Sequence, residues 1–148
     1  MQRKAFPYKI KKGTIETVVQ ISRQIAEFSN PHDPREYHKR LDKTAHLILI
    51  AFDGSFPVGF KVGYEREDTF YSWMGGVLSN YRGKGIAQKL AEEQESWARQ
   101  HNYPHITFKT RNRHQAMLLF AIKNNFQIIG FEKRENIDEN RILLRKFL

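Results

Sequence analysis

The N-terminal part of the chain is dominated by a helical spacing of apolar residues. Between Gly13 and Asn30 they recur every three or four positions, which predicts an amphipathic helix with Thr14 as its N-cap. The stripe consists of Ile15, Val18, Ile21, Ile25 and Phe28. Residues 8–11 are predicted to form a short strand before this helix, and a short polar helix is predicted after it, over residues 35–41.

Three apolar runs follow, and two turn signals separate them. Residues 46–52, 57–64 and 69–78 have the length and composition of strands. Residues 53–55 join the first two runs, and residues 65–68 join the last two. Because turns this short connect antiparallel neighbours, two successive hairpins are predicted.

The C-terminal half alternates between helices and strands. A helix is predicted over residues 85–100, with an apolar face of Ile86, Ala87, Leu90, Ala91, Trp97 and Ala98. A strand over residues 105–110 and a helix over residues 116–122 come next. Two strands, over residues 127–132 and 141–148, complete the chain.

The resulting element order, β-α-α-β-β-β-α-β-α-β-β, predicts the fold class. Hairpins followed by crossover helices indicate an α+β (mixed α/β) fold, with a central, mixed and mostly antiparallel sheet flanked by helices on both faces. No repeat or low-complexity linker divides the 148 residues, so residues 1–148 are predicted to form a single domain.

Composition excludes several kinds of site. The chain has no cysteine, which removes disulfides, thiolate zinc sites and a cysteine nucleophile. None of the six histidines has metal-ligand spacing with carboxylates nearby, so no metal site is predicted. The basic N-terminus contains no apolar run, and no stretch approaches the roughly 20 apolar residues of a membrane span. A cytoplasmic protein without a membrane partner is therefore expected.

The net charge of +9 bears on the partners. Such a charge is compatible with nucleic-acid binding, with a solvated basic surface or with an anionic ligand. The lysines and arginines are spread along the chain, with no run of five or more. Nucleic acid is therefore disfavoured as a partner, although a basic nucleic-acid-binding module stays open as an alternative function.

Residues 82–87, with the sequence RGKGIA, form the most informative local segment. They lie between a predicted strand and a predicted helix, where free backbone N–H groups and the positive end of the helix dipole suit an anion such as a pyrophosphate. Arg82 and Lys84 add positive charge. A Walker A loop is excluded because Gly85 follows Lys84, and a dinucleotide fingerprint is excluded because Gln88 takes the place of its third glycine.

The pattern R-x-x-G-x-A in this segment resembles the pyrophosphate loop of the GNAT superfamily, the acyl-CoA-dependent N-acetyltransferases. The element order of the whole chain is also similar to that fold. The resemblance implies acetyl-CoA as co-substrate, with its pyrophosphate on the loop. The implied cofactor-binding residues are Val77, Leu78, Arg82, Gly83, Lys84, Gly85, Ile86, Ala87 and Asn112.

Four of these residues have distinct implied roles. The backbone near Val77 and Leu78 would pair with the amides of the pantetheine arm. Gly85 would let the loop approach the pyrophosphate closely, since a Cβ there would intrude. Asn112 is explained equally well as a cofactor contact or as the plain N-cap of the next helix.

The chain departs from the family pattern at the positions that usually donate or accept protons in the reaction. Phe120 or Ala121 stands where a tyrosine acid is expected, and Tyr71 stands where one branch of the family has a glutamate base. The remaining candidates for catalysis are Tyr71, Glu65 and His114: Glu65 near the mouth of the site as a base, and Tyr71 or His114 as an acid. The non-catalytic interpretation is favoured for two of them, with Glu65 as a solvated turn residue and Tyr71 as packing or a wall of the acceptor pocket.

These observations predict an enzyme, an acetyl-CoA-dependent N-acetyltransferase that acts on a primary amine of a small molecule or a peptide. Direct attack in a ternary complex is favoured, because there is no cysteine and no Ser-His-Asp set. The net charge favours an acceptor that carries a carboxylate or phosphate over a polycation. The missing acid and base leave open a CoA-binding regulator without turnover, and the terminal strands leave open a homodimer.

Overall fold

The computed structural model of the protein describes residues 5–28 and 30–148. The strands are β1 (Lys9–Lys12), β2 (His46–Asp53), β3 (Phe56–Arg66), β4 (Thr69–Val77), β5 (His105–Arg111), β6 (Gln127–Glu132) and β7 (Arg141–Phe147). The α-helices are α1 (Ile15–Ser22), α2 (Pro34–Leu41), α3 (Ile86–Gln100) and α4 (Gln115–Lys123). Short 3-10 turns lie at Ser79–Tyr81 and Ile137–Glu139. Within the described ranges, no helix is long and apolar enough to cross a membrane.

The strands form a mixed sheet in the hydrogen-bonded order β1-β2-β3-β4-β5-β7-β6. The β4–β5 pair is parallel, and the β1–β2, β2–β3, β5–β7 and β6–β7 pairs are antiparallel. Together with the four helices, this sheet confirms the predicted α+β class. Contacts divide the chain into two compact units, Met1–Tyr64 with Met74–Gln94 and Glu65–Trp73 with Glu95–Leu148. A single domain stays a prediction.

The first unit is organised around β2, whose central residues are buried. Lys9 of β1 pairs with Phe52, and His46 pairs with Tyr64 of β3. Thr14 and Asp33 cap the N-termini of α1 and α2, as short polar residues do. Both helices contribute buried apolar residues to the core. The residues of this core with 0% exposure include Val18, Ile21, Tyr37, Leu41, Ile50, Val58 and Val62.

The first helix is shorter than its apolar stripe predicted. It ends at Ser22, and the backbone then tightens into i→i+3 bonds: the Ile25 N–H donates to the Ser22 carbonyl (3.2 Å), and the Phe28 N–H to the Ile25 carbonyl (3.1 Å). The Ser22 hydroxyl donates to the Val19 carbonyl (2.9 Å), a local bond that competes with helix continuation. Ile25 is nevertheless buried, so the stripe indicated burial and not helix length.

The second unit contains the parallel pairing and the C-terminal hairpin. The β4–β5 ladder has two residue pairs, Phe70 with Ile106 and Tyr71 with Thr107. The β5–β7 ladder is longer and runs over seven pairs, from His105↔Phe147 to Arg111↔Arg141. The core beneath α4 consists of Ala121, Ile142 and Leu144, with Phe108, Leu118 and Phe126 packed against it.

The turn between β3 and β4 is tighter than predicted. Glu67 (φ 52) and Asp68 (φ 61) both have left-handed backbone, which is the conformation of the central residues of a two-residue hairpin turn. Because this turn needs two residues only, Glu65 lies in β3. The prediction that Glu65 belongs to the turn was wrong.

Candidate active site

The segment between β4 and α3 is held in place by its own backbone. The 3-10 turn is closed by the Tyr81 N–H on the Leu78 carbonyl (2.9 Å) and the Arg82 N–H on the Ser79 carbonyl (3.3 Å). The Tyr81 hydroxyl also donates to Oδ2 of Asp53 (2.8 Å), at the end of β2. The strand end therefore leads through a fixed turn into residues 82–85, which we call the phosphate loop.

Two glycines give the phosphate loop its shape. Gly83 has φ 75 and Gly85 has φ 84, a left-handed conformation that side chains disfavour. A Cβ built on either glycine has no heavy atom within 4 Å, so the space beside the loop is open. The structure thus adds a backbone reason for glycine at position 85 to the predicted steric one.

The start of α3 presents backbone donors that the helix itself does not use. The Lys89 N–H donates to the Gly85 carbonyl (3.0 Å), which closes the first α-helical turn. The N–H groups of Ile86 and Ala87 precede Lys89, the first residue with an α-helical bond, so they have no carbonyl one turn earlier within the helix to bond. At the N-terminus of a 15-residue helix they also carry the positive end of its dipole. This end of α3 suits an anionic group.

The two cations of the phosphate loop differ in their surroundings. The Arg82 guanidinium forms a two-pronged ion pair with Glu27 (Nη1–Oε1 2.6 Å, Nη2–Oε2 2.9 Å), and its Nε donates to the Val77 carbonyl (3.1 Å). The hydrogen bond from Arg82 lowers the pKa of Glu27 to about 2. Lys84 is exposed, and in the described part of the chain no carboxylate lies within ion-pair distance of its Nζ. A contact between Arg82 and a pyrophosphate stays a prediction.

The predicted pantetheine contacts fall on the buried end of β4. The Leu78 N–H donates to the Val58 carbonyl (2.9 Å), so this donor is already engaged. The Val77 carbonyl already accepts from Arg82. The two residues are therefore placed beside the phosphate loop, and their contact with the cofactor stays a prediction.

Residues 24–28, the anchor segment, pack on the same end of β4. A Cβ built on Gly76 would lie 2.6 Å from Cδ1 of Ile25 and 3.4 Å from Cζ of Phe28. The Phe28 ring also meets Phe60 of β3 edge to face, at 6.4 Å between centroids. The absence of a side chain at Gly76 therefore lets the anchor segment lie against the strand.

Tyr71 and Glu65, two candidates for catalysis, belong to the second unit. Tyr71 is half-buried on β4, and the Arg66 guanidinium lies 5.1 Å from its ring centroid. Glu65 is exposed at the end of β3. Burial raises the pKa of Tyr103, and the negative charge of Glu65 and a hydrogen bond to it contribute further. Glu65 therefore interacts with a neighbouring phenol of the same unit.

His114 and Asn112 lie in the loop before α4, also in the second unit. Burial lowers the pKa of His114, and Arg111, Arg113 and Arg141 lower it further. Asn112 does not cap α4, because His114 occupies the N-cap position. Instead, Nδ2 of Asn112 donates to the Ile137 carbonyl (3.2 Å). The N-cap interpretation of Asn112 was wrong.

The positions that replace the usual tyrosine are apolar in the structure as well. Ala121 is 1% exposed and belongs to the core beneath α4, while Phe120 is half-buried on the same helix. Neither side chain offers a proton. Any acid for a leaving thiolate therefore comes from elsewhere in the chain.

The model of the acetyltransferase (GNAT) family matches residues 15–126, which is most of the chain. This protein belongs to the GNAT acetyltransferase family. The matched residues include the anchor segment, the phosphate loop and α4. Membership confirms the predicted family and supports the predicted use of acetyl-CoA.

One curated relative in the GNAT family is the L-2,4-diaminobutyric acid acetyltransferase of Oceanobacillus iheyensis. It is 30% identical over 86 residues, which are 53% of this chain and 48% of the relative. The chain therefore matches about half of the length of this relative.

Two solved GNAT structures illustrate the similarity of fold. The ribosomal-protein-S18-alanine N-acetyltransferase of Escherichia coli superposes with a TM-score of 0.81 at 11% identity, over 93% of this chain and 92% of that one. A protein described as a streptothricin acetyltransferase from Bacillus anthracis str. Ames, solved in complex with acetyl coenzyme A, has a TM-score of 0.69 at 25% identity. That match covers 82% of this chain and 71% of the other.

Proposed function

We propose that this protein transfers the acetyl group of acetyl-CoA to a primary amine of a small molecule or a peptide, by direct attack in a ternary complex. The observation that carries the proposal is the phosphate loop: left-handed Gly83 and Gly85 lead into the N-terminus of α3, where the N–H groups of Ile86 and Ala87 are not used by the helix. Family membership supplies the class of reaction.

In this proposal, the N–H groups of residues 83–87 and the ammonium of Lys84 hold the pyrophosphate of the co-substrate. Backbone donors at a helix N-terminus serve this purpose without any side-chain rearrangement. The amine nitrogen attacks the thioester carbonyl of acetyl-CoA. The C–N bond forms, the C–S bond breaks, CoA leaves as the thiolate, and the amine proton passes to a base. Lys84 is preferred as the cation because its charge is not compensated by a carboxylate in the described part of the chain.

Among the three candidates, His114 is proposed as the proton acceptor, although the sequence pointed to Glu65 for that role and to His114 or Tyr71 as an acid. Burial and the nearby arginines lower the pKa of His114, which favours the neutral imidazole that a base needs before it accepts a proton from the amine. Tyr71 and Glu65 stay alternatives, with Arg66 and Tyr103 respectively as neighbours. Contacts of Asn112, Val77 and Leu78 with the co-substrate, a cytoplasmic location and a homodimer also stay predictions.

The acceptor is proposed to be an amine that also carries a carboxylate. Diaminobutyric acid, named for the Oceanobacillus relative, is a substrate of this kind. A net charge of +9 also disfavours polycationic acceptors through long-range repulsion. Diamino acids are therefore the first acceptors to test, followed by acidic peptides.

Calorimetry with acetyl-CoA tests the co-substrate site. Gly85→Val should weaken binding by about tenfold or more, because the side chain strains the left-handed backbone and fills the open space beside the loop. Gly54→Val is the matched control: Gly54 has φ 60 and open space around it, but it lies in the β2–β3 turn. Absence of binding by the wild-type protein would contradict the proposal.

Thiol release then separates the enzyme from its rivals. Turnover with a diamino acid supports the proposed reaction. Tight acetyl-CoA binding without thiol release on any amine would instead indicate a CoA-binding regulator. Binding of RNA or DNA with a steep salt dependence, and with no competition from CoA, would indicate the nucleic-acid-binding module.

A further inference from the structure

Most hydrogen-bond donors of the Arg82 side chain are engaged within the protein, so few are available to a ligand. Its Nη1 and Nη2 meet the two carboxylate oxygens of Glu27, and its Nε meets the Val77 carbonyl. A fork-to-fork arginine–carboxylate pair is the strongest of the ordinary ion-pair geometries. The charge of Arg82 is therefore balanced within the protein, and its orientation is set by the strand end.

Glu27 is held in place by its neighbours on both sides. Ile25 is 5% exposed and packs on Gly76, and Phe28 packs on Phe60. Exposed ion pairs are usually weak, because two long side chains must be immobilised to form them. Here the backbone on either side of Glu27 is already anchored, and the Nε bond fixes Arg82. This pair therefore loses less freedom than a typical surface pair.

We propose that Arg82 is a clamp for the anchor segment rather than a ligand of the pyrophosphate, and that Glu27 is the positioning residue that holds it in this role. The clamp joins residues 24–28 to the end of β4, next to the phosphate loop. The cation that meets the phosphates is then Lys84. This inference rests on the proposed function and assigns the two loop cations to different tasks.

A charge swap separates a clamp from a ligand. In the double variant Glu27→Arg with Arg82→Glu, the ion pair can re-form in the opposite direction, while position 82 becomes an anion. A clamp predicts that acetyl-CoA binding by calorimetry stays within about threefold of wild type. A phosphate ligand predicts a loss of more than about tenfold, because an anion then stands beside the phosphates.

Single variants locate the cation that binds phosphate. Lys84→Ala should weaken both acetyl-CoA and inorganic pyrophosphate by about tenfold, as expected for a lost charge-assisted bond. Lys89→Ala is the matched control, since it removes an equal charge from α3 that pairs with Glu93 (3.8 Å). Arg82→Gln should weaken binding by less than Lys84→Ala does. The reverse ranking would overturn the proposal.

Thermal unfolding tests the clamp without any ligand. Glu27→Gln and Arg82→Gln should lower the melting temperature by similar amounts. The double variant Glu27→Gln with Arg82→Gln should melt no lower than the less stable of the two single variants. The charge swap should recover part of the loss. Additive losses without recovery would overturn the clamp. Failure of wild-type protein to bind acetyl-CoA would instead reject the proposed function, and the unfolding result would still decide the clamp.

Discussion

Arg111 and Arg141 lie directly opposite each other on β5 and β7, and the carboxylate of Glu139 reaches both. Like charges in opposite positions of a ladder repel each other. Oε2 of Glu139 lies 3.3 Å from Nη1 of Arg111 and 3.7 Å from Nη1 of Arg141, while Oε1 accepts from Arg113. A single carboxylate therefore balances part of the charge of three arginines.

Removal of that carboxylate charge should destabilise the protein. We expect Glu139→Gln to lower the free energy of unfolding by about 1–2 kcal/mol, because it leaves facing arginines without their shared partner. Urea unfolding measures the loss. Glu135→Gln is the control, since it removes the same charge from an exposed position and should change stability by less than about 0.5 kcal/mol. Equal stability of the two variants would contradict this account.

The packing of the anchor segment on β4 makes a second prediction. Gly76→Ala places a Cβ 2.6 Å from Cδ1 of Ile25, so it should cost about 1–3 kcal/mol of unfolding free energy through overpacking. Gly75→Ala, one residue earlier on the same strand, has its nearest neighbour at 3.4 Å and should cost less.

A second variant shows whether the clash with Ile25 is the cause. Ile25→Val removes the Cδ1 atom, so the double variant Gly76→Ala with Ile25→Val should be more stable than Gly76→Ala alone. Denaturant unfolding of the four proteins forms a double-mutant cycle. If the two changes add without coupling, the anchor segment does not pack on Gly76 as described.

The environment of His114 leads to a prediction about protons. Burial and the nearby arginines lower its pKa, so the neutral form is favoured in the folded state. A folded pKa below the unfolded value means that this group contributes stability at neutral pH and loses it as the pH falls below about 6.5. NMR titration should therefore place the His114 transition below its usual range.

A change of one arginine tests the electrostatic part of that shift. Arg111→Gln should move the pKa of His114 part of the way back toward its usual range. The return is incomplete because the burial of His114 is unchanged. Lys123→Gln removes an equal charge from the far end of α4 and should leave the transition where it is. If both variants titrate like wild type, the arginines do not set the protonation of His114.

Local signals predicted most of this fold. Hydrophobic period and turn residues located the helices and strands, and the glycine-containing segment before α3 indicated the phosphate loop. The end of α1 was missed, because Ile25 and Phe28 keep a helical spacing while their backbone forms i→i+3 turns. Glu65 was misplaced, because left-handed Glu67 and Asp68 shorten the turn.

The electrostatic arrangement of the site was beyond local signals. Arg82 and Glu27 are 55 positions apart, and Glu27 stands between Ala26 and Phe28, where no motif marks it. Arg111 and Arg141 become neighbours only through the register of β5 with β7. Which charged residues pair across the sheet depends on which strands become neighbours and on their register. The hydrophobic periodicity of a single sequence indicates neither.

The ion pair between Glu27 and Arg82 makes a final prediction, about acid. The folded pKa of Glu27, about 2, is below its ordinary value of 4.5, so the pair stabilises the folded state above about pH 5 and this contribution is lost as the pH falls toward 2. The stability difference between wild type and Glu27→Gln should therefore shrink over that range. Since both side chains are half-exposed, this stability difference should stay below about 1 kcal/mol at neutral pH.

Acid titration of Glu92→Gln provides the comparison for this prediction. Glu92 is an exposed carboxylate of the same unit that accepts from the neutral amide of Gln88 (3.3 Å) and not from a cation. Its replacement should change stability less than Glu27→Gln does at neutral pH, because a neutral amide does not favour the carboxylate as a guanidinium does. If the two variants change stability equally at every pH measured, then Arg82 does not hold Glu27 in solution, and its guanidinium is available to the phosphates after all.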